Sequence, residues 1–494
     1  MKSIISSLSE KGLLVSPDLS IPESEENAFL DFVNRKMQKE TVLFVDGKIY
    51  NDFKGIFHSK PATIQAGNKT EMSREDIPFG VDILHQYKFS YKKTNIEDFY
   101  SYYSNRFNEI RQILSSKPDL ADAVPLSRVF SSQEKEKIST IGMVIDCKLT
   151  KSDNFMINLE DPTGTLMILV SKKAENFSVC EEIVPDEIIG VRGIKSGRYF
   201  YADEIFFPDI KSITEKEGTK EEVYSAFISD LHIGSKMFLE NEFDYFIKWI
   251  RGEAGNESQK NLSSKIKYLF ITGDLVDGVG VYPSQEKELN ILDIYKQYEK
   301  CAEFLEKIPD SVIKIICPGN HDAVRLCEPQ PEIPSEYIKR IKAIPNLIST
   351  SNPSTLNIHH FDGFEGYKVL MYHGYSFCHF ADTIAKIRNA GGVDRPDLIM
   401  KFILKKRHLS PVYSSNLLAP TEVDDLIIKT VPDIFASGHL HKARISNYKH
   451  VLTIASSCFQ ARTSFEEKLG LHPEPAHVPI FNMKTKKTSM MKFI

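Results

Sequence analysis

The sequence predicts a multidomain chain: a small helical unit, a compact β-barrel and a large α/β domain. Three observations carry this. At 494 residues, the chain exceeds what one hydrophobic core organises, so two or three domains are expected. The hydrophobic period changes twice, from helical spacing to alternation near residue 127, and then to strands alternating with helices beyond residue 222. The balance of 41% hydrophobic and 26% charged residues is that of an ordinary globular protein, which excludes wholesale disorder, collagen-like repetition and coiled-coil bias.

Residues 1–58 form the helical unit, because the apolar positions of SIISSLSEKGLLV and ENAFLDFVNRKMQ recur at helical spacing. Residues 59–94 have linker composition at their start, polar and carrying Pro and Gly. A helical lead-in, 95–126, opens with NIEDFYSYYSNRFNEIRQILSS, whose aromatics and Ile/Leu repeat on one face. Between 127 and 212 the segments TIGMVIDCKLT, NFMINLEDPTG, TLMILVS, EIIGVRGIKSG and YFYADEIFF read as five short strands with turn residues between them. Five strands in so short a span suggest a Greek-key barrel of the OB type, with a small β sandwich as the alternative. From 223 to 494 the strands VYSAFIS, KYLFITG, VIKIICPG, KVLMYHG and DIFASG alternate with amphipathic helices, the pattern of an α/β domain.

The net charge of −5 gives no global basic field, so any contact with nucleic acid must come from a local patch or a partner. Seven scattered cysteines without a CxxC pair fit a reducing compartment. No signal peptide is read at the N-terminus, and no run approaches the roughly 18 apolar residues of a membrane span. The expectation is a cytoplasmic protein with no membrane partner.

In open α/β sheets, ligands collect beyond the carboxyl ends of the strands. There the sequence places Asp230 and His232 (SDLHIGS), Asp274 (TGDLVDG), Asn320 and His321 (PGNHDA), His373 (YHGYS), and His439 and His441 (SGHLHKA). A lone Asp at such a position is ordinarily a cap, and a lone His a satisfied core residue. Five strand ends in one domain make a metal site the better reading. Carboxylate, imidazole and amide donors suit Mn²⁺ first, with Fe²⁺ or Zn²⁺ as alternatives, rather than Mg²⁺ or Ca²⁺. The spacings fit two divalent ions: residues i and i+2 leaving an extended strand project to the same side, and Asp274, with two oxygens, suits a bridge.

The ordered set DxH … GDxxD … GNHD … H … GHxH resembles the calcineurin-like metallophosphoesterases. The resemblance implies one metal on Asp230, His232, Asp274 and His441, and a second on Asp274, Asn320, His373 and His439. His321 would act as the catalytic residue at the leaving or non-bridging oxygen, and Asp277 would orient a ligand from outside the coordination sphere. The chemistry implied is hydrolysis of a phosphoester.

These motifs do not separate a protein phosphatase, a nucleotide phosphodiesterase and a nuclease. The segments GDLVDGVGVYPSQEKEL, PGNHDAVRLCEPQP, KFILKKRHLSPVY and VPDIFASGHLHKA are similar to the small subunit of the archaeal family D DNA polymerase. That resemblance implies a 3′–5′ exonuclease that proofreads DNA for a separate large catalytic subunit. Two alternatives stay open: a stand-alone phosphodiesterase or phosphatase, and a non-catalytic scaffold, against which the intact ligand set argues. The cluster Lys405, Lys406, Arg407 and His408 is expected either to contact DNA phosphates or to be a solvated helix face. Tyr372, Tyr375, Phe377 and Phe380 are expected to stack terminal bases or to belong to the core. The final SMMKFI resembles a sliding-clamp-binding peptide.

Overall fold

The computed structural model describes residues 80–494 except 90–92, 132, 134–135, 198 and 212–215, together with 14–15, 29, 32–33 and 44–45. Most of the expected helical unit and the first part of the linker therefore lie outside the described residues. Leu14–Val15, expected to end a helix, instead pairs in parallel with Phe44–Val45. Gly12 and Pro17 flank that dipeptide and oppose a helix there. Gly80–Gln86, expected within the linker, is a strand with Val81 buried.

Helix α1 (Ile96–Ser115) starts at a capping box: Asn95 Oδ1 accepts from the Asp98 amide at 3.1 Å, and Asp98 Oδ2 from the Asn95 amide at 2.9 Å. Its inner face buries Tyr102, Arg106, Phe107, Ile110 and Leu114. Five strands follow: β1 (Lys137–Leu149), β2 (Phe155–Asp161), β3 (Gly164–Val170), β4 (Ile188–Ser196) and β5 (Tyr199–Phe206). They close into a barrel in the order β1-β2-β3-β5-β4, with β3 and β5 parallel and the other neighbours antiparallel. Alternate residues such as Ile157, Leu159, Ile168, Val170, Val191 and Phe200 fill it. The β2–β3 turn is tied by Asp161, whose Oδ1 accepts from the amides of Thr163 and Gly164 at 2.7 and 3.1 Å.

The C-terminal domain contains β6 (Tyr224–Ile228), α2 (Glu240–Ile250), β7 (Ile266–Thr272), α3 (Ile294–Leu305), β8 (Ile313–Cys317), β9 (Leu347–Ser349), β10 (Ser354–His360) and β11 (Tyr367–Met371). It continues through α4 (Pro396–Lys406), β12 (Ile434–Ser437), β13 (Arg444–Tyr448), β14 (Val451–Ala455), α5 (Ser464–Lys468), β15 (His477–Asn482) and β16 (Thr488–Lys492). One sheet has the order β9-β8-β7-β6-β15-β16, parallel from β9 to β6. In the other, β12 pairs in parallel with β11 and β14. The two sheets face each other: the Tyr268 hydroxyl lies 3.1 Å from His359 Nδ1, and Tyr367 meets Phe481 edge-on at 5.4 Å. On its outer face the first sheet is covered by α2 and α3, whose Phe243, Phe246, Trp249, Tyr298 and Phe304 join one buried cluster. Among the described residues, no helix is long and apolar enough to cross a membrane.

Two expectations are corrected by these contacts. The Lys405–His408 cluster is neither a phosphate-contacting patch nor a solvated face. Lys406 is buried, with Nζ 2.7 Å from Glu187 Oε2, 2.6 Å from the Glu182 carbonyl and 3.6 Å over the Phe207 ring. Lys405 pairs with Glu182 at 2.7 Å. Arg407 donates to the carbonyls of Ile428 and Lys429, both at 2.7 Å. His408 Nε2 lies 2.8 Å from Asp424 Oδ2, the same oxygen that accepts from Arg106 Nε of α1 at 2.7 Å. Glu182 and Glu187 lead into β4, so the cluster fastens the barrel to the C-terminal domain. The reason is solvation: charges buried at a packed junction need partners more than they need phosphates.

The second correction concerns SMMKFI. It forms edge strand β16, and Phe493 packs between Trp249 and Phe246 at 5.2 and 5.3 Å. A docking peptide needs its aromatic anchor free, and Phe493 is committed to the core, although Met490 and Ile494 stay exposed.

The Lys406–Glu187 pair sets a test of the junction. Lys406→Ala, which strands a buried carboxylate, should cost about 3–5 kcal/mol in chemical denaturation. Combining Lys406→Met with Glu187→Leu should recover most of that loss.

Candidate metal centre

All the strands that feed the site end just before it. β6 stops at Ile228, β7 at Thr272, β8 at Cys317, β11 at Met371 and β12 at Ser437. Past those ends the backbone turns sharply. Asp230, His232, Asp274, His439 and His441 all have positive φ, between 51° and 72°. Non-glycine residues in the left-handed region cluster where surrounding structure enforces them, characteristically at functional sites. The expectation that Asp230 and His232 share a side by strand alternation is therefore replaced: a left-handed turn, not an extended strand, aims both inward. Close approach completes the turn. A Cβ on Gly319 would lie 2.2 Å from Asp274 Oδ1, and one on Gly438 2.5 Å from Asp230 Oδ2.

The seven residues expected as ligands and His321 are brought together. Two donors bound at about 2.1 Å to one ion stand about 3.0–3.4 Å apart at right or tetrahedral angles. His232 Nε2 lies 3.2 Å from His441 Nε2, which lies 3.4 Å from Asp230 Oδ1. His373 Nε2 lies 3.0 Å from Asn320 Oδ1 and 3.3 Å from Asp274 Oδ2. Asp274 Oδ2 is also 3.8 Å from His232 Nε2, so one oxygen stands between both groups. His439 donates its amide to Asp230 Oδ2 at 3.0 Å, and its Nε2 is 3.8 Å from Cys378 Sγ. That leaves Nδ1 of His439 for a cation. Asp230, His232 and His441 converge as one potential metal-binding group, and Asp230, Asp274 and His373 as another. The donor set and its spacings fit divalent cations.

Second partners fix which imidazole nitrogen faces the centre. His232 Nδ1 is 3.0 Å from Asp277 Oδ1, His441 Nδ1 is 2.9 Å from Glu466 Oε1, and His373 Nδ1 is 2.8 Å from the Thr272 carbonyl. Asp277 is itself held by Gln285 and Gln460 at 2.9 and 3.0 Å. His321 sits at the cleft wall; its Nδ1–H donates to the Asp277 carbonyl at 2.8 Å, so Nε2 is free of that bond. Its amide donates to Asp274 Oδ1 at 2.8 Å.

Electrostatics match this arrangement. Burial alone would raise the Asp274 carboxyl, but His373, His321 and His232 hold it well below the usual carboxylate range. Burial would lower His373, but Asp274 and Asp230 lift it to about 10. Burial pushes His439 down to about 3, with His373 adding to the effect. Burial lowers His321 below its ordinary value.

Sequence reasoning missed Glu466 and Asp322. Glu466 was legible: Thr463-Ser-Phe-Glu466 is a capping box, and Glu466 Oε2 accepts from the Thr463 amide at 2.8 Å while Oε1 orients His441. Asp322 of the GNHD motif accepts from the amides of Gly319 and Leu275 and from the Tyr298 hydroxyl, at 2.9, 3.3 and 3.0 Å. Burial and Asp274 push it up to about 7. Of the aromatics near His373, Tyr372, Phe377 and Phe380 are buried in the core, and only Tyr375 is part-exposed, 5.7 Å from His439.

Two outcomes follow from this geometry. Glu466→Gln should weaken Mn²⁺ binding by about 10–100-fold in calorimetric titration, with the fold retained. In the metal-free protein, the stability contributed by protonated His373 is full below about pH 6.5 and lost as pH rises through about 10. A cation displaces that proton, so Mn²⁺ uptake should release protons and tighten as pH rises across this window. Titration at pH 7 and pH 9 in buffers of different ionisation enthalpy measures both.

Known proteins fit this site. A family model for calcineurin-like phosphoesterases, which bind divalent metals, matches residues 225–443. The chain is 37% identical over 492 residues to the DNA polymerase II small subunit of Methanothermobacter thermautotrophicus, covering 98% of each chain. It is 40% identical over 388 residues to that of Archaeoglobus fulgidus, covering 78% of this chain and 75% of the relative. With that of Thermoplasma acidophilum it shares 32% over 496 residues, covering 99% and 93%. With the phosphoesterase domain and likeness along nearly its whole length, the chain belongs to the family of DNA polymerase II small subunits.

Proposed function

We propose that this chain hydrolyses DNA phosphodiesters as the 3′–5′ exonuclease of a heteromeric DNA polymerase, alongside a large catalytic subunit. The observation that carries the hydrolytic reading is the convergence of two donor groups on Asp274 Oδ2 at an open cleft beside His321. The names of the relatives support the polymerase context. Directionality and proofreading come from the resemblance in the motifs.

Asp230, His232, Asp274 and His441 would hold one divalent cation, and Asp274, Asn320, His373 and His439 a second, with Mn²⁺ the best match to the donors. When bound, such a pair supplies Lewis-acid activation of the phosphoryl group and of water. The chain's own residues do the rest. Asp277 and Glu466 keep His232 and His441 in one tautomer each. His321, with Nδ1–H fixed on a carbonyl, presents Nε2 to hold or deliver the proton needed at the leaving oxygen. Burial lowers its pKa, which favours the neutral imidazole with Nε2 open as an acceptor.

We read the barrel as OB-type from its 1-2-3-5-4 strand order. Its role here is packing more than DNA binding. Arg192 pairs with Asp119, Lys172 with Asp153, and Lys195 donates to the Phe130 carbonyl. A groove between α1, the barrel and residues 412–414 exposes Ile96 (83%) and Tyr100 (75%) and is lined by Glu160, Asp161 and Asp186 without Lys or Arg. Apolar surface with an acidic rim suits a protein partner, here the large subunit, and repels a phosphate backbone.

The decisive assay uses the purified chain, Mn²⁺ and end-labelled single-stranded and 3′-mismatched DNA. A ladder shortening from the 3′ end, lost in His321→Ala and Asp274→Ala, is the expected result. Hydrolysis of a small phosphodiester without DNA cleavage, unchanged on adding the large subunit, would overturn the exonuclease reading.

A further inference from the structure

The cleft that holds His321 has an aromatic wall built from two distant segments. Tyr282, in the loop after the GDxxD motif, and Phe465, in α5, stack with ring centroids 5.1 Å apart and planes 22° apart. Both line the cleft together with His321 and Asn320. Tyr282 meets the His321 ring at 6.3 Å in an edge arrangement. Phe465 keeps 44% of its surface exposed, so an apolar ring faces the cleft mouth.

The pair is held in place from both sides. The Tyr282 hydroxyl donates to Glu288 Oε2 at 2.9 Å, and the hydroxyl of Ser464, next to Phe465, bonds the other oxygen of the same carboxylate. The loop is braced by Gln285, which accepts from the Val281 amide at 2.8 Å and donates to the Asp277 carbonyl at 2.8 Å. Phe465 directly precedes Glu466, which orients His441. The ring and the carboxylate that orients His441 therefore share one short, capped segment. Lys442, which also lines the cleft, is taken by Asp394 at 2.7 Å, leaving the aromatic pair as the larger hold on a strand beside the centre.

We propose that the Tyr282–Phe465 stack is the seat of the nucleobase next to the scissile phosphodiester, so that the centre selects an unpaired base without reading its identity. This rests on the nuclease reading above. A ring face accepts any base, because every base has a π-face, and stacking of this kind is sequence-tolerant. A base inside a duplex has both faces covered by its neighbours, and a paired terminal base must first be unpaired to enter, at a cost that is least for a mismatch. The site is thereby matched to frayed or mismatched ends, and Tyr282 and Phe465 are positioning residues.

The test compares the full chain with Phe465→Leu, Tyr282→Leu and Phe465→Trp. Each is given Mn²⁺ and 5′-labelled single strands ending in an ordinary nucleotide or in an abasic residue. For the unsubstituted chain, kcat/KM should fall about 5–150-fold on the abasic end. Phe465→Leu and Tyr282→Leu, which keep apolar bulk but remove a π-face, should show that loss on the ordinary end and little further loss on the abasic one. Phe465→Trp should retain the ordinary rate. Equal losses on both ends, or on neither, would overturn the base seat, the first case indicating a merely structural wall. If the unsubstituted chain cleaves neither strand, with or without the large subunit, while hydrolysing methyl p-nitrophenyl phosphate, the nuclease reading itself fails, and the seat with it.

Discussion

Two carboxylates, Asp230 and Asp274, are buried side by side with their charges intact, and most of the C-terminal domain is arranged around that constraint. Like charges out of water repel and are poorly solvated, so positive charge must be brought to them. Four strand ends answer with imidazoles. Glycines at 319 and 438 let the backbone come within contact of the carboxylates, and left-handed turns aim the side chains. Within the chain the compensation comes from His441, His373 and the amides of His321 and His439. The same cluster that is awkward as a protein core is well made as a cation site.

A second set of buried charges works differently. At the junction of barrel and phosphoesterase domain, Lys406, Arg106 and His408 meet Glu187 and Asp424 within the protein. Burial lowers Lys406 to about 8 and raises Glu187, so desolvation weighs on both partners. Such a pair contributes modestly to net stability and strongly to geometry, because each partner is intolerable without the other.

Much of the fold was legible in the sequence, and the reasons differ by element. The parallel strands were short apolar runs ending in glycine-flanked motifs, and the barrel strands were set apart by turn residues such as Asp161-Pro-Thr-Gly164. Strands β13 and β16 mix polar residues into both faces, as in RISNY and TSMMK, and carry no such period. The candidate metal ligands were legible because their chemistry is unusual at strand ends, although the left-handed turns that aim them were not. The basic cluster misled because the carboxylates that hold Lys405 and Lys406 lie more than 200 residues earlier in the chain. Aromatics beside His373 misled for a related reason: neighbours in sequence at a buried strand end point into the core, whereas the cleft wall is assembled from the loop at Tyr282 and the helix at Phe465.

Strand β6 lies between β7, the next strand of its own sheet in sequence, and β15, whose Ile480 pairs with Ala226 across about 250 residues. The groups around Asp230 likewise wait for His439, His441 and Glu466. Ribosomal synthesis runs from one end, so a nascent chain holds isolated carboxylates and imidazoles but no assembled centre until residues beyond 466 have emerged. Such long-range closure is slow. It also means that a translation product truncated before residue 439 carries some of the carboxylates and imidazoles without the centre they build together.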